Sequence, residues 1–386
     1  MSNNARVVDE QHTEGQVVLF LGAGASAFAG YHTFETFPDL LLSDDIRRDE
    51  GLDPLPPRVC SFLHEVNDTL RVEHQPRTHD KFLWRLNEYA MLWRDLRTDG
   101  VLQARFLKDT EQWGEFAQFD ATTQDAISET DVTTVHHYGE NRVRRATSSI
   151  GAFQRVYEFY IELAKRNHKD RPYLPIFTTN YDMLIEDLHA VFCLGSRPQV
   201  PLVTGLGACD EGTPWSRDEF TRHKCHGIHL HRLHGCACWY YHGLGDEKTY
   251  FHRNHRPEAR LADLCAMYPG REIFRGRDPH GFGFRQLNAA LHQCRVLVFV
   301  GFSFRDDDVM HLLLAVANER RQSPFRYLIV DPWLRDFDVI VNLRRASERS
   351  AFPVRVPSRS EVRAVNLSFG RDDFDTEILS AVDKLL

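Results

Sequence analysis

Gly22-Ala23-Gly24-Ala25-Ser26-Ala27 stands directly after the apolar run Val17-Val-Leu-Phe-Leu21. Small residues in this G-x-G-x-x-A spacing let a chain turn tightly, so that backbone N–H groups and the start of a following helix face a phosphate. A phosphate-bearing ligand is the expected occupant; the plainer alternative is a tight strand-to-helix turn that binds nothing. A nicotinamide dehydrogenase should continue to a second strand within ~30 residues, ending in an acidic residue for the adenosine ribose. The chain runs instead through Tyr31-His-Thr-Phe34-Glu-Thr-Phe37-Pro38, which argues against hydride transfer.

Histidine supplies the second source of chemistry. The chain holds 20 histidines, and His223, His226, His229, His231, His234 and His242 crowd one stretch. An imidazole can take a proton at neutral pH, but in such a crowd no ring stands out by type alone. His229-x-His231 has the look of a metal pair, although crowding explains it better. Cys225, His226, Cys236 and Cys238 offer four ligands, yet C-x-C is a poor chelating turn, and no structural zinc is expected.

These residues need elements to position them. Five segments read as buried strands: Val17 to Leu21, Leu174 to Thr179, Val296 to Val300, Tyr327 to Val330 and Val362 to Leu367. Helical faces lie between and after them, at Phe153, Val156, Tyr157, Tyr160, Ile161 and Ala164, at Val309, Leu312, Leu313 and Val316, and at Phe374, Ile378, Val382 and Leu385. The alternation predicts an α/β fold, a Rossmann-like parallel sheet with helices on both faces, plus a helical insertion after the first strand. Residues 15–37 and 150–386 form the expected core. Residues 38–149 form the expected helical insertion, with an amphipathic stripe at Phe82, Leu86, Tyr89, Trp93 and Leu96. Residues 193–270 are expected as a loop-rich insertion within the core.

Composition narrows the function classes. The 386 residues are 42% hydrophobic and 26% charged, enough for a substantial core. With 47 basic against 55 acidic residues the net charge is −8, so strong direct binding to nucleic acid is not expected. The polar start and the lack of an 18-residue apolar run encode neither export nor membrane insertion. The eight cysteines are therefore expected as reduced thiols in a cytoplasmic protein.

With these elements placed, the motifs resemble those of sirtuins. Gly22-Ala-Gly24-Ala-Ser26-Ala-Phe-Ala-Gly30 followed by Phe34 resembles the sirtuin phosphate turn and cofactor loop. Thr178-Thr-Asn180-Tyr-Asp182 is similar to Thr-Gln-Asn-x-Asp, Leu233-His234-Gly235 to the segment carrying the catalytic histidine, and Gly301-Phe-Ser303 to the Gly-Thr-Ser turn. The order is the same, over roughly residues 17 to 335. There are departures: His32-Thr33-Phe34-Glu35 replaces Pro-Asp-Phe-Arg, Thr179 replaces Gln, Phe302 replaces Thr, and the paired C-x-x-C zinc module has no counterpart. With the early helical insertion, these departures resemble the stand-alone sirtuin-like NAD hydrolases of bacterial antiphage defence.

That resemblance implies NAD as substrate, cleaved at the nicotinamide–ribose bond. Asn180 is expected to position ribose and water, the plainer alternative being a helix cap, and His234 is expected to be the general base. The expected cofactor-binding residues are Gly22, Ala23, Gly24, Ser26, Phe34, Asp182, Gly301, Ser303 and Asp331. Asp182 is also open to a bracing role and Asp331 to a simple strand-end turn. The acidic run Asp306-Asp-Asp308 reads as the start of a helix. The competing functions are an NAD-dependent deacylase and a non-catalytic nucleotide-sensing subunit. An NAD hydrolase needs restraint, so self-assembly into a homo-oligomer or control by a second protein is expected, and the resemblance implies a ring-forming HerA-type ATPase as that partner.

Overall fold

The computed structural model describes residues 16–31, 36–72, 85–86, 110–139, 142–145, 150–168, 170–193, 200–206, 213–223, 226–241, 249–251, 264–266, 278–304, 306–332, 340–341, 343–344, 347, 357–358, 360–367 and 373–386. Its strands are β1 (Val17–Leu21), β2 (Tyr173–Thr178), β3 (Leu202–Val203), β4 (Gly227–Arg232), β5 (Gly235–Tyr241), β6 (Thr249–Phe251), β7 (Leu264–Ala266), β8 (Val296–Val300), β9 (Arg326–Val330) and β10 (Val362–Val365). A seven-stranded sheet runs in the order β10-β9-β8-β1-β2-β4-β3, with every pairing parallel. A small antiparallel sheet, β6-β5-β7, stands beside it in the chain's third quarter.

Continuous apolar strands need cover on both faces, and the side chains divide accordingly. Val17, Leu19 and Leu21 of β1 and Val296, Val298 and Val300 of β8 face one core. Val18, Phe20, Leu297 and Phe299 face the other. The first core is covered by α3 (Pro57–Val72), α6 (Ile150–Asn167) and α11 (Phe374–Asp383). The second is covered by α9 (His280–Gln293) and α10 (Asp307–Glu319). The fold is therefore the expected Rossmann-like one. Of the helical faces read from periodicity, Phe153, Val156, Tyr160, Val309, Leu313, Phe374, Ile378 and Val382 are buried, while Tyr157, Ile161, Leu312 and Leu385 pack at the margins.

Between β1 and β2 lie α1 (Phe37–Leu42), α2 (Asp44–Asp49), α3, α4 (Thr110–Gly139), α5 (Arg142–Arg145) and α6. Of the stripe from Phe82 to Leu96, Leu86 is described and buried; Phe82, Tyr89, Trp93 and Leu96 lie outside the described residues. The chain returns to the sheet through Asn167 at the end of α6, which accepts from Val17 N–H at 2.7 Å and donates to its carbonyl at 2.8 Å. No helix among the described residues is long and apolar enough to cross a membrane.

The reading of 193–270 as loop-rich needs correction, because β3 and β4 of the main sheet lie in it. Gly-Ile-His-Leu-His-Arg does not read as a buried strand, yet all six residues are buried. Aromatic neighbours absorb the histidines: His231 stacks against Phe177 on one side, at 4.9 Å between ring centres, and against Phe220 of α8 (Arg217–Arg222) at 4.7 Å.

Burial sets the charge state of these rings. It pulls His229 down to about 4, against hydrogen bonds to the His223 and His226 carbonyls that act the other way, and it pulls His231 well below its usual value. The unfolded chain then takes up protons near pH 6.5, while native His229 refuses its proton until about pH 4 and native His231 is held neutral well below pH 6.5. Stability is full above pH 6.5 and falls as the pH drops toward 4, by up to about 1.4 kcal/mol per unit for each such ring. His231→Phe keeps the stack and removes one titration, so urea midpoints between pH 7 and 5 should fall less steeply than in the parent. An unchanged slope would show that His231 does not drive the acid loss.

Candidate active site

The chain leaves β1 on one side for β2 and β4 and comes back on its other side at β8, so the sheet order reverses between β1 and β8. Ligands of open α/β sheets bind beyond the carboxyl ends of the strands at such a point. The turns leaving β1 and β8 pack there backbone to backbone. Gly22 N–H donates to Val300 O at 2.9 Å, and Gly24 N–H to Gly301 O at 3.0 Å. A Cβ on Gly22 would stand 2.4 Å from Gly301 O, and one on Gly24 2.8 Å from Gly301 Cα. Glycine is thus demanded here by the neighbouring turn, a requirement independent of any phosphate. The helix expected after this turn is replaced by two short 3₁₀ segments, Ala23–Ala25 and Ala27–Ala29, closed by Gly30 in the left-handed region. Ala23 and Gly24 stay partly exposed, while Ser26 is buried.

Ser26 turns inward to Asn180, just past the end of β2. Asn180 Nδ2 donates to Gly22 O at 2.9 Å and to Ser26 Oγ at 3.1 Å, and its backbone N–H donates to Thr178 Oγ1 at 3.0 Å. Its carbonyl accepts from Arg232 Nη1 at 2.9 Å. Oδ1 is buried with no hydrogen-bond partner among the described residues. Asn180 does not cap the following helix α7 (Leu184–Phe192), where Asp182 Oδ1 accepts from Leu184 N–H instead. Asp182 is buried, also bonds Ser26, and its carboxyl is raised by burial against the opposing pull of Arg232. A small cavity lies behind this group, lined by Ser26, Tyr160, Thr178, Asn180, Asp182 and Arg232.

His234 lies at the matching height on the neighbouring strand. The register Thr178↔Arg232 places Asn180 and His234 each two residues past paired strand ends. Leu233 N–H donates to Thr178 O at 2.9 Å, and Leu233 O lies 3.0 Å from His280 Nδ1, which fixes the backbone beside the ring. His234 Nε2 is 2.9 Å from Asp306 Oδ2. Burial alone would raise Asp306, but His234 and the N–H groups of the first turn of α10 hold its carboxyl below the ordinary range. Gly301 and Ser303 lie in the turn after β8, with Ser303 exposed, and Asp331 is half-buried at the end of β9. Phe34 lies outside the described residues.

The sequence reading missed three contributors. Asp306 was taken only as a helix start, and nothing in its run of acids singles out a partner 72 positions away. Arg232 grips Glu186 through Nε at 2.9 Å and Nη2 at 2.6 Å, both groups being buried. Burial opposes its charge, and Glu186 outweighs that and keeps the guanidinium protonated. At the edge of the glycine turn, Arg142 pairs with Glu50 at 2.7 Å and covers the Tyr31 ring at 4.9 Å. Burial would raise Glu50, but His137 and Arg142 hold it at about 2. This cluster ties the helices to the segment that leads toward Phe34.

Cys236 and Cys238 are reduced cysteines, outside any disulfide among the described residues, and are buried with Met183, Leu206, Trp239 and Phe251. Among the described residues no three His, Cys, Asp or Glu side chains gather as a metal-binding group.

Fold and site together define a Rossmann-like α/β protein whose candidate polar centre lies at the sheet's switch point. Residues 175–346 match the family model of the SIR2-like domain. No curated protein matches the chain. Among solved structures it is similar to a Sir2 protein in complex with an inhibitor, 2'-O-acetyl-ADP-ribose and a deacetylated peptide, at 11% identity over 95% of this chain and 94% of that one, with a TM-score of 0.36. A structure bearing on the mechanism and regulation of Sir2 enzymes is similar at 10% identity, over 97% and 94%, also with a TM-score of 0.36.

Proposed function

We propose that this protein binds NAD at the C-terminal edge of the sheet and hydrolyses its nicotinamide–ribose bond, releasing nicotinamide and ADP-ribose. The observation that carries the reading is Asn180, whose Nδ2 is spent on Gly22 and Ser26 while the buried Oδ1 keeps its accepting capacity beside the strand ends. An oriented amide oxygen suits a ribose hydroxyl or a water. The match of residues 175–346 to the SIR2-like domain supports the choice of NAD.

In the reaction the glycosidic electron pair leaves with nicotinamide, which departs neutral. Water forms the new bond to the ribose carbon, and its proton passes to His234. Asn180 orients the ribose or the water, and exposed Ser303, with Asp331 at the next strand end, contacts phosphate or ribose oxygens. The biological reading is NAD depletion in antiphage defence, restrained by homo-oligomer formation or by a HerA-type ATPase partner.

The test incubates purified protein with NAD, alone and with such an ATPase, and follows nicotinamide and ADP-ribose by chromatography. Asn180→Ala and His234→Ala should each lose about 100-fold or more of the turnover, the scale for removing one preorganised polar group. An acylated ADP-ribose formed only with an acyl-lysine substrate would replace this reading with a deacylase. No turnover in any assembly state would leave a nucleotide-sensing subunit.

A further inference from the structure

We propose that Asp306 is a positioning residue for His234, holding the ring as its Nε2–H tautomer and so making Nδ1 the nitrogen that accepts a proton. The proposal rests on the reading of His234 as the base, and it assigns which face of the ring works and what sets it.

The contact is built from both sides. The pair stands 2.9 Å apart with side chains 6% and 14% exposed, unlike a solvated surface ion pair. Asp306 is the N-cap of α10, its Oδ1 accepting from Val309 N–H at 3.0 Å, so Oδ2 is aimed by a helix. Two residues earlier, buried Phe304 sits at φ 57, a conformation a bulky residue adopts only when its surroundings enforce it. Its ring is held 4.7 Å from Phe299 and 5.1 Å from Phe302. Earlier still, Gly301 is wedged against Gly24 and Ala25. In the sheet, β8 is separated from β4 by β1 and β2, so the pair joins strand ends across the turns that carry Gly22 and Asn180.

The chemistry follows from the inventory of donors. A carboxylate oxygen only accepts, so Asp306 Oδ2 at 2.9 Å draws the ring proton to Nε2, which puts the lone pair of the neutral ring on Nδ1. Asp306 from the N-terminus of α10 and His280 from the N-terminus of α9 both face the ring. Burial brings His280 down to about 4, so it is neutral at working pH, whereas Asp306 carries a negative charge that acts on His234.

Asp306→Asn is nearly isosteric and caps a helix as well as Asp, so α10 keeps its start; Asp306→Ser, also a good cap, serves should that variant fail to fold. The first readout is nitrogen NMR of protein labelled at histidine, with the His234 signals assigned by their loss in His234→Ala. The native ring should be the Nε2–H tautomer above its titration, and the variant should shift toward Nδ1–H. The second is NAD turnover, where kcat should fall about 10-fold to 100-fold with KM changed far less, and the acid limb of the pH profile should move to lower pH as the anion is lost. A native Nδ1–H ring, or a variant with the native tautomer and pH profile, overturns the proposal. If the tautomer shifts but the parent never cleaves NAD, the positioning role stands and the hydrolase reading falls.

Discussion

Arg232→Met will unfold the protein at markedly lower urea, at a cost of about 3–5 kcal/mol, the usual scale for breaking a buried ion pair from one side. The guanidinium makes two bonds to Glu186 and one to the Asn180 carbonyl, in a region that also holds buried Asp182. Its removal leaves Glu186 ionised without a partner, or protonated at an equivalent cost. The pair itself contributes far less than this number, because bringing both charges out of water nearly cancels their attraction. Arg232→Met combined with Glu186→Gln should therefore recover a large part of the loss. Denaturation of the two single variants and the double one measures the coupling directly. A loss below about 1 kcal/mol for Arg232→Met would mean that water reaches this pair.

Gly301→Ala will cost about 3 kcal/mol or more and take the candidate site with it. Its φ is +59, and a Cβ there would meet Ala25 N at 2.3 Å and Gly24 Cα at 2.5 Å. Both obstacles are backbone, so no side chain can swing aside, and the two strand-end turns would have to separate. Gly51→Ala is the control: its φ is +77, but nothing lies within 4 Å of the added carbon. It should show only the cost of a left-handed alanine, on the order of 1 kcal/mol. Thermal unfolding of both variants separates strain from collision, and equal losses would show that the contact between the turns contributes nothing.

The sheet's centre was legible because its strands are continuous apolar runs. β1 and β8 coincide with their sequence expectations, β2 is shifted by one residue at each end, and β9 starts one residue earlier. β4 was not legible, since half of Gly-Ile-His-Leu-His-Arg is polar by type. Its histidines are buried because Phe177 and Phe220 sandwich one of them, and its arginine because Glu186 meets it from α7. No pattern within six residues reports partners supplied by three other elements.

For the candidate site the division is similar. By itself the sequence determined the apolar strands, the small residues at their ends, and the presence of Asn180 just beyond one strand and Ser303 in the turn after another, since these follow from local type and spacing; His234 stood out only through the resemblance of Leu233-His234-Gly235 to the sirtuin segment. Tertiary structure alone decided that Gly22 and Gly24 are glycines because Gly301 presses on them, and that Ser26 turns inward to Asn180 and Asp182. It also decided that one of three consecutive aspartates reaches His234. The physical reason is that a strand fixes only where its own chain ends; which ends become neighbours is set by sheet order and register, through contacts between residues as far apart as Gly22 and Val300.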